Sequence, residues 1–403
     1  MPEIIPLVEY QSRRQRVLDS LEGAAAIVLA GEGSPPLLGK WRPDQHFFYL
    51  TGLEAEAGAA VLFDPTNENP KRRIALFLRP LNPELDRWDG YRDPITQVLK
   101  ERTGFETIFR SNTIPAMLTA AARRAKRVAC LHPFAVYPGP VGADLAAFRQ
   151  VAERIPGLAI EDRTQLLPRM RGVKSPAELG LMRSAVDATA AGYEAIFKLI
   201  RPGLSEMDLE VALERAYRAG GASGVAYNSI VGSGLNATVL HYMDNRQPLA
   251  AGDLVVIDSA ARFGGYAADV TRTLPVSGTF TPEQREVYET VLRAELAAIA
   301  AVRPGATYTD VDAAARDVIE RAGFGDAFIH SVGHPLGLDV HDVNPDGPLV
   351  EGMVLTIEPG IYLPERRLGV RIEDDVLVTK DGAVSLTDRI PKTVAAVEAA
   401  MAR

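Results

Sequence analysis

Gly252-Asp-Leu-Val-Val-Ile-Asp258 and Gly352-Met-Val-Leu-Thr-Ile-Glu358 are two versions of one pattern, a hundred residues apart. In each stretch a Gly precedes an apolar run of β type, and an acid closes the run. A second Gly-to-acid step follows in both places, as Gly265-Tyr-Ala-Ala-Asp269 and Gly369-Val-Arg-Ile-Glu373. Internal repetition of this kind indicates two copies of one supersecondary unit that face each other.

The four acids of this repeat predict a site for cations. Asp269 follows Asp258 by eleven residues, across the turn Arg262-Phe-Gly-Gly265, and this spacing suits two adjacent antiparallel strands. A single acid at such a place is more often a solvated turn residue. Four acids in register would converge and repel one another unless cations lay between them. The pattern therefore indicates a two-metal site.

Histidines add the second kind of functional group. The chain has six His, and three of them lie in the segment His330-Ser-Val-Gly-His334-Pro-Leu-Gly-Leu-Asp-Val-His341, while His241 follows another apolar run. Neutral imidazole is a common metal ligand, and histidine transfers protons near neutral pH. Oxygen ligands with one imidazole suit Mn²⁺, Co²⁺ or Zn²⁺ without choosing among them. Two such ions ~3.5–4 Å apart would activate a bridging water toward a carbonyl, which predicts hydrolysis of an amide or ester.

Length and composition limit the classes of protein to consider. At 403 residues the chain is expected to form two domains. The formal net charge of -8 argues against a nucleic-acid partner. The single Cys130 excludes an internal disulfide and is expected in the core. The N-terminus lacks a signal pattern, and the apolar runs fall far short of the ~20 residues that cross a bilayer, so we expect a cytoplasmic protein without a membrane partner.

The order of predicted elements indicates an α/β domain over residues 1–172 and an α+β domain over 173–403. In the first half, short apolar runs at 25–30, 59–63 and 74–78 predict buried strands, and 94–103 and 114–126 predict helices. The second half begins with Ser175 as an N-cap, Pro176 at the first helical position and Glu178 at the capping-box position. Helices are then predicted at 207–219, 282–302 and 309–322, with strands up to 276 and from 328 to 378. The helices near 175–219 are expected to be structural.

The motifs around the repeat resemble a known family. Five residues resemble, in order and spacing, the metal ligands of the methionine aminopeptidase/prolidase superfamily: Asp258, Asp269, His334, Glu358 and Glu373. The strings Leu240-His-Tyr242, Gly337-Leu-Asp-Val-His-Asp342 and Ile357-Glu-Pro-Gly-Ile-Tyr362 are close matches as well. In the first half, Gln45-His-Phe-Phe-Tyr-Leu-Thr-Gly52 and Arg87-Trp-Asp-Gly-Tyr-Arg92 resemble the N-terminal domain of aminopeptidase P. The resemblance implies a C-terminal pita-bread metallopeptidase domain behind an N-terminal α/β domain of the creatinase/prolidase type.

The resemblance also implies how two divalent ions are held, with Mn²⁺ first among the candidates. Asp269 and Glu373 would bridge the ions, and Asp258 would complete one site. His334 and Glu358 would complete the other, and Glu358 would also handle the proton of the attacking water.

Substrate contacts are implied in the same way. His241 and His341 would contact the substrate carbonyl and stabilise the tetrahedral intermediate. His330, Tyr362 and Arg371 would line or brace a pocket for the proline after the scissile bond. Trp88 would reach an active site, that of a neighbouring subunit in a homodimer or homotetramer, although an interface or core tryptophan fits its motif equally well.

Three functions remain open on the sequence alone. The Trp-Asp-Gly motif favours aminopeptidase P, which removes the first residue from Xaa-Pro-peptides. The tripeptide Gly333-His334-Pro335 resembles prolidases, which split Xaa-Pro dipeptides, but the stretch between His341 and Glu358 lacks the Arg expected to bind a dipeptide's carboxylate. A non-catalytic binding module of the same fold is the third reading, and the presence of all five ligand residues argues against it.

Overall fold

The computed structural model of the chain describes residues 4–33 and 41–402. Two compact units make up this part of the chain, one over Ile5–Met170 and the other from Arg171 onward. Each unit has its own hydrophobic core. Within the described residues, every helix is too short or too polar to cross a bilayer.

The first unit is an α/β structure built on a mixed sheet. Its elements in chain order are α1 (Leu7–Ser20), β1 (Ala26–Leu29), α2 (Gln45–Thr51), β2 (Ala60–Phe63), β3 (Ile74–Leu78), α3 (Pro83–Asp89), α4 (Gln97–Thr103), β4 (Thr107–Arg110), α5 (Ile114–Ala125), β5 (Arg127–Cys130), α6 (Ala143–Ala152), β6 (Ala159–Asp162) and α7 (Leu166–Gly172), whose last residues belong to the second unit. The sheet has the order β1-β2-β3-β4, with antiparallel pairs except for the parallel pair β3–β4, and β5 pairs in parallel with β6.

The predicted elements of this half are present with shifted ends. The helix predicted from residue 94 begins only at Gln97, because the Thr96 side chain caps it by accepting a hydrogen bond from the Leu99 backbone N–H. Cys130 is a free, buried thiol, and burial raises its pKa to about 12. His132 is buried too, and its Nε2 accepts a hydrogen bond from the Leu29 N–H at 3.3 Å. These side chains therefore serve the core of the first unit.

The second unit repeats a helix–helix–sheet order, as the sequence pattern predicts. Its elements are α8 (Pro176–Leu199), α9 (Glu206–Ala219), β7 (Gly224–Val225), β8 (Ile230–Ser233), β9 (Leu254–Asp258), β10 (Ala261–Phe263), β11 (Tyr266–Ala267), β12 (Thr271–Pro275), α10 (Pro282–Ala301), α11 (Tyr308–Arg321), β13 (Val354–Ile357), β14 (Gly360–Leu363), β15 (Leu368–Arg371), β16 (Asp374–Thr379), β17 (Gly382–Ser385) and α12 (Val394–Met401). Ser175 caps α8 in a complete capping box with Glu178, and α9, α10 and α11 also begin with capping boxes.

The sheet register explains why the repeated acids meet. In the first copy β9 pairs antiparallel with β12, with Asp258 opposite Thr271, and the hairpin β10–β11 lies between them in the chain. In the second copy β13 pairs antiparallel with β16, with Ile357 opposite Asp374, and the hairpin β14–β15 lies between them. Each copy therefore presents one acid where its first strand ends and another just before its second strand begins.

The expectation of strands from residue 328 onward is wrong for residues 328–353, which form an irregular segment in the structure. Among the described residues, its regular pairing consists of two isolated bridges, Pro335 with Leu355 and Met353 with Val173. Gly333 passes so close to β13 that an added Cβ would lie 2.0 Å from the Thr356 carbonyl oxygen. The segment is held instead by single contacts, from the Thr356 N–H to the His334 carbonyl at 2.8 Å and from the Glu358 N–H to the Val332 carbonyl at 2.7 Å. This close approach brings His334 beside the end of β13.

Candidate active site

A cavity of about 510 Å³ in the second unit collects most of the predicted site residues. The five predicted metal ligands all line it, as do His241, His330, His341 and Arg371. Apolar and polar side chains complete the lining: Tyr227, Asn228, Ile230, Leu240, Met243, Ser331 and Val340. Tyr362, also predicted as a pocket residue, is not among the lining residues, but its hydroxyl contacts two that are, His330 and Arg371.

Carboxylates and one imidazole form the floor of this cavity. Ligand atoms of Asp269, His334 and Glu373 all lie within 4.8 Å of one another. His334 Nε2 lies 3.5 Å from Asp269 Oδ2 and 3.4 Å from Glu358 Oε1. Glu373 is buried, and its Oε2 accepts a hydrogen bond from the Thr271 hydroxyl at 2.7 Å. The arrangement gathers residues that are up to 115 positions apart in sequence, from Asp258 to Glu373, into one cluster.

The four acids of the cluster are only partly balanced by the buried Arg371, which pairs with Asp258. Burial raises the pKa of Asp269 well above its ordinary value, and the nearby Asp258 and Glu358 carboxylates raise it further. Burial likewise raises the pKa of Glu373, with repulsion from Asp269 adding to the effect. The pKa of Glu358 rises to about 7, chiefly through burial. Buried acids in mutual repulsion are stabilised in the charged form only when cations are bound, which fits a divalent-metal site.

The imidazole of the cluster suits the same purpose. Burial lowers the pKa of His334 to about 4, and the neighbouring His341 lowers it further. Neutral imidazole is the form that binds a metal. His334 Nδ1 lies 3.1 Å from the Pro335 carbonyl oxygen. That oxygen would accept a hydrogen bond from a protonated Nδ1, and this tautomer leaves the lone pair of Nε2 free to bind a metal. Four carboxylates and one neutral imidazole thus form a donor set for hard or borderline divalent ions.

Asp258 is oriented by two donors. Arg371 Nη2 donates to Asp258 Oδ2 at 2.6 Å, and the Tyr227 hydroxyl donates to Asp258 Oδ1 at 2.5 Å. Arg371 is buried, and its Nη1 also donates to the Tyr362 hydroxyl at 3.1 Å. The Tyr362 hydroxyl lies 2.9 Å from His330 Nε2. A chain of contacts therefore joins the metal-ligand cluster to His330 on the cavity wall.

The remaining histidines lie at the open side of the cavity. The rings of His341 and His334 stack with centroids 3.8 Å apart and planes 14° from parallel. His241 and His341 are both exposed and line the same cavity. Burial lowers the pKa of His341, and the nearby His241 lowers it further. Both rings are placed where they could contact a bound molecule.

Two features of the site follow from no sequence pattern used above. Tyr227 precedes the motif that begins at Asn228, and its contact with Asp258 gives it a place in the cluster. Thr271 and Thr356 hold Glu373 and Glu358 through hydroxyl hydrogen bonds of 2.7 and 3.3 Å. Strand alternation was the available signal for these threonines, since each lies on a strand two residues from an acid, Thr271 from Asp269 and Thr356 from Glu358. Trp88 belongs to the first unit, at the end of α3, and is 84% exposed in the single chain.

Comparisons with known proteins establish the family of the chain. Residues 180–380 match Metallopeptidase family M24, and residues 10–129 match Aminopeptidase P, N-terminal domain. The chain is 34% identical to a Xaa-Pro aminopeptidase of Haemophilus influenzae, over 98% of this chain and 97% of that relative. The solved structure of aminopeptidase PepP from Pseudomonas aeruginosa has a TM-score of 0.89 and 33% identity, and covers 100% of this chain and 99% of its own.

A second solved structure is that of an Escherichia coli aminopeptidase P variant in complex with substrate. It has a TM-score of 0.87 and 29% identity, and the match covers 98% of both chains. The expected α+β architecture is confirmed, with an N-terminal aminopeptidase P domain followed in the chain by a pita-bread domain. With one relative above 30% identity over nearly its whole length and both domain families matched, the chain belongs to the aminopeptidase P family within Metallopeptidase family M24.

Proposed function

We propose that this chain is a metal-dependent Xaa-Pro aminopeptidase, which hydrolyses the bond before proline and releases the N-terminal residue of Xaa-Pro-peptides. The observation that carries the proposal is the cluster of Asp269, His334 and Glu373, with ligand atoms within 4.8 Å of one another, at the floor of an open cavity. The 34% identity to the Xaa-Pro aminopeptidase of Haemophilus influenzae supports the substrate class.

Two divalent ions would be held by Asp258, Asp269, His334, Glu358 and Glu373, with Asp269 and Glu373 between the two positions. When bound, the ions supply Lewis acidity toward the scissile carbonyl and lower the pKa of water. We propose Mn²⁺ as the native ion, with Co²⁺ or Zn²⁺ able to take its place. The oxygen-rich donor set with a single imidazole suits all three ions, and the family resemblance favours Mn²⁺ among them.

The chain's own residues do the remaining work. Glu358 takes the proton of the attacking water at a carboxylate oxygen. His241 and His341 donate hydrogen bonds to the carbonyl oxygen as negative charge develops on it. The contacts among His330, Tyr362 and Arg371 form a rigid wall for the proline ring. That wall needs no peptide N–H from the substrate.

The oligomeric state and the cellular location of the enzyme are proposed as well. We propose a homodimer or homotetramer in which the exposed Trp88 reaches the active site of a neighbouring subunit. A cytoplasmic location is consistent with the single, buried, reduced cysteine, Cys130.

The test compares Xaa-Pro dipeptides with Xaa-Pro-Yaa tripeptides as substrates of purified protein loaded with Mn²⁺, Co²⁺ or Zn²⁺. Cleavage of the tripeptide with release of the first residue is expected. Activity on the dipeptide alone would identify a prolidase instead. A protein that binds no divalent metal, measured by elemental analysis, would favour a non-catalytic binding module.

A further inference from the structure

A buried glutamate on α9 accepts five hydrogen bonds from one stretch of chain. Glu206 is the first residue of α9 and is 0% exposed. Its Oε1 accepts from the Ser233 N–H at 2.7 Å, the Ser233 hydroxyl at 2.8 Å and Asn236 Nδ2 at 3.2 Å. Its Oε2 accepts from the Tyr242 hydroxyl at 3.0 Å and the Gln247 N–H at 2.8 Å. All five donors lie between residues 233 and 247, which we name the His241 segment.

A second glutamate one turn along α9 holds the same segment. Glu210 Oε2 accepts from Asn245 Nδ2 at 3.0 Å, and Asn245 also bonds the Ser229 carbonyl and the Val231 N–H. Asn245 is buried and has a φ of 49°, in the left-handed region that Asn tolerates better than most residues. The α9 helix therefore anchors the segment on both sides of His241.

His241 depends on this anchoring for its position. Its side chain is exposed and lines the active-site cavity. Within the part of the chain that the structure describes, its imidazole forms no hydrogen bond with the protein. The backbone of the His241 segment therefore sets where the ring lies, and the neighbouring Tyr242 is tied directly to Glu206.

We propose that Glu206 is a positioning residue for catalysis, which acts through His241. Its carboxylate ties the Ser233, Tyr242 and Gln247 groups to α9 and so keeps the His241 ring facing the cavity. Glu206 itself contacts no substrate. This inference rests on the proposed function, in which His241 stabilises the substrate carbonyl.

The first test is Glu206→Gln in the metal-loaded enzyme. The substitution keeps the shape of the side chain but replaces one acceptor oxygen with an NH₂ group that faces other donors. The kcat/KM for an Xaa-Pro-Yaa peptide is expected to fall about tenfold to a hundredfold through misplacement of His241. Metal content is expected to stay at the wild-type value, because no ligand lies in the segment.

Two companion variants separate positioning from general damage. Tyr242→Phe removes one of the five donors at a partly exposed site, and a smaller loss of about two- to fivefold in kcat/KM is expected from it. It also keeps the idea testable if Glu206→Gln fails to fold. Asp208→Asn is the matched control, because Asp208 is an exposed acid in the same first turn, and its hydrogen bonds among the described residues are with Ser205. It is expected to leave kcat/KM unchanged.

The decisive readout is a double-mutant cycle with His241→Ala. If Glu206 acts through His241, adding Glu206→Gln or Tyr242→Phe to His241→Ala lowers kcat/KM by less than about twofold. If either change multiplies the His241→Ala loss by its full factor, the inference is wrong. It is also wrong if Glu206→Gln alone leaves kcat/KM unchanged.

A readout without turnover keeps this inference separate from the proposed function. Arg246 is exposed within the His241 segment, so trypsin cleavage after it reports how firmly the segment is held. Glu206→Gln is expected to raise that cleavage rate at least about fivefold, while Asp208→Asn is expected to leave it near the wild-type rate. Equal rates in Glu206→Gln and wild type would overturn the anchoring role. Failure of the wild type to cleave Xaa-Pro-peptides would overturn only the proposed function.

Discussion

Replacing Glu358 with Gln is expected to stabilise the metal-free protein while destroying its capacity to be stabilised by metal. Burial raises the pKa of Glu358 from 4.5 to about 7 in the folded protein without metal. A carboxylic acid with a raised folded pKa contributes fully to stability below its unfolded pKa, and that contribution is lost as pH rises through the folded pKa. Metal-free wild type is therefore expected to lose stability between about pH 4.5 and pH 7.

The size of the effect follows from the two pKa values. The difference between the pKa of 4.5 and the folded pKa of about 7 lowers the free energy of unfolding of the metal-free wild type by about 3 kcal/mol at pH 8, at about 1.4 kcal/mol per pKa unit. At pH 5 burial of Glu358 lowers the free energy of unfolding by less than about 1 kcal/mol, because Glu358 is still protonated in the folded state. Glu358→Gln removes the charge and also the repulsion that Glu358 exerts on Asp269 and Glu373.

The assay is chemical denaturation of chelator-treated protein at pH 5 and pH 8. Metal-free Glu358→Gln is expected to exceed metal-free wild type by about 3 kcal/mol at pH 8 and by much less at pH 5. With Mn²⁺ added, wild type gains stability and the variant gains little. Glu351→Gln changes an exposed glutamate ahead of β13 and should stay within about 0.5 kcal/mol of wild type. A variant no more stable than wild type at pH 8 would refute this account of the cluster.

Three other substitutions test the roles of single residues. His341→Ala is expected to keep its metal, measured by elemental analysis, and to lose about 10²–10³ in kcat, since it contacts substrate rather than ion; an unchanged kcat would remove it from the mechanism. Glu373→Ala is expected to lose metal, because it would serve both ions, and full occupancy in that variant would contradict a bridging role. Tyr227→Phe removes the hydroxyl that lies 2.5 Å from Asp258 Oδ1. Metal affinity, measured by titrating the metal-free protein, should then fall about 10- to 100-fold, and wild-type affinity would leave Tyr227 without this role.

Local sequence signals accounted for much of the fold. The capping box of Ser175 and Glu178 marks the start of α8 because it satisfies free backbone N–H groups wherever it occurs. The repeated Gly-to-acid pattern predicted the strand ends at the acids correctly, because short-range alternation and turns determine where such strands end. The prediction of strands over residues 328–353 is wrong, since this segment meets β13 through separate hydrogen bonds that depend on the close approach of Gly333. Tertiary contacts of that kind leave no periodicity in the sequence.

The supporting residues of the site were harder to find than its acids and histidines. The spacing of the four acids and the one imidazole is itself a signal, and the structure brings all five side chains to one cavity. Tyr227 bonds Asp258, which lies 31 positions away in the sequence. Glu206 bonds groups between Ser233 and Gln247, which lie 27 to 41 positions away. Helix α9, expected to be structural, carries Glu206 on its first turn. A buried acid at a helix start looks like a solvated capping acid until the chain that covers it is known.

Anomalous diffraction from crystals grown with Mn²⁺ tests the central claim most directly. The account predicts two manganese peaks in the cavity, both within bonding distance of Asp269 and Glu373, with Asp258 at one ion and with His334 and Glu358 at the other. A single peak, or peaks away from these five side chains, would contradict it.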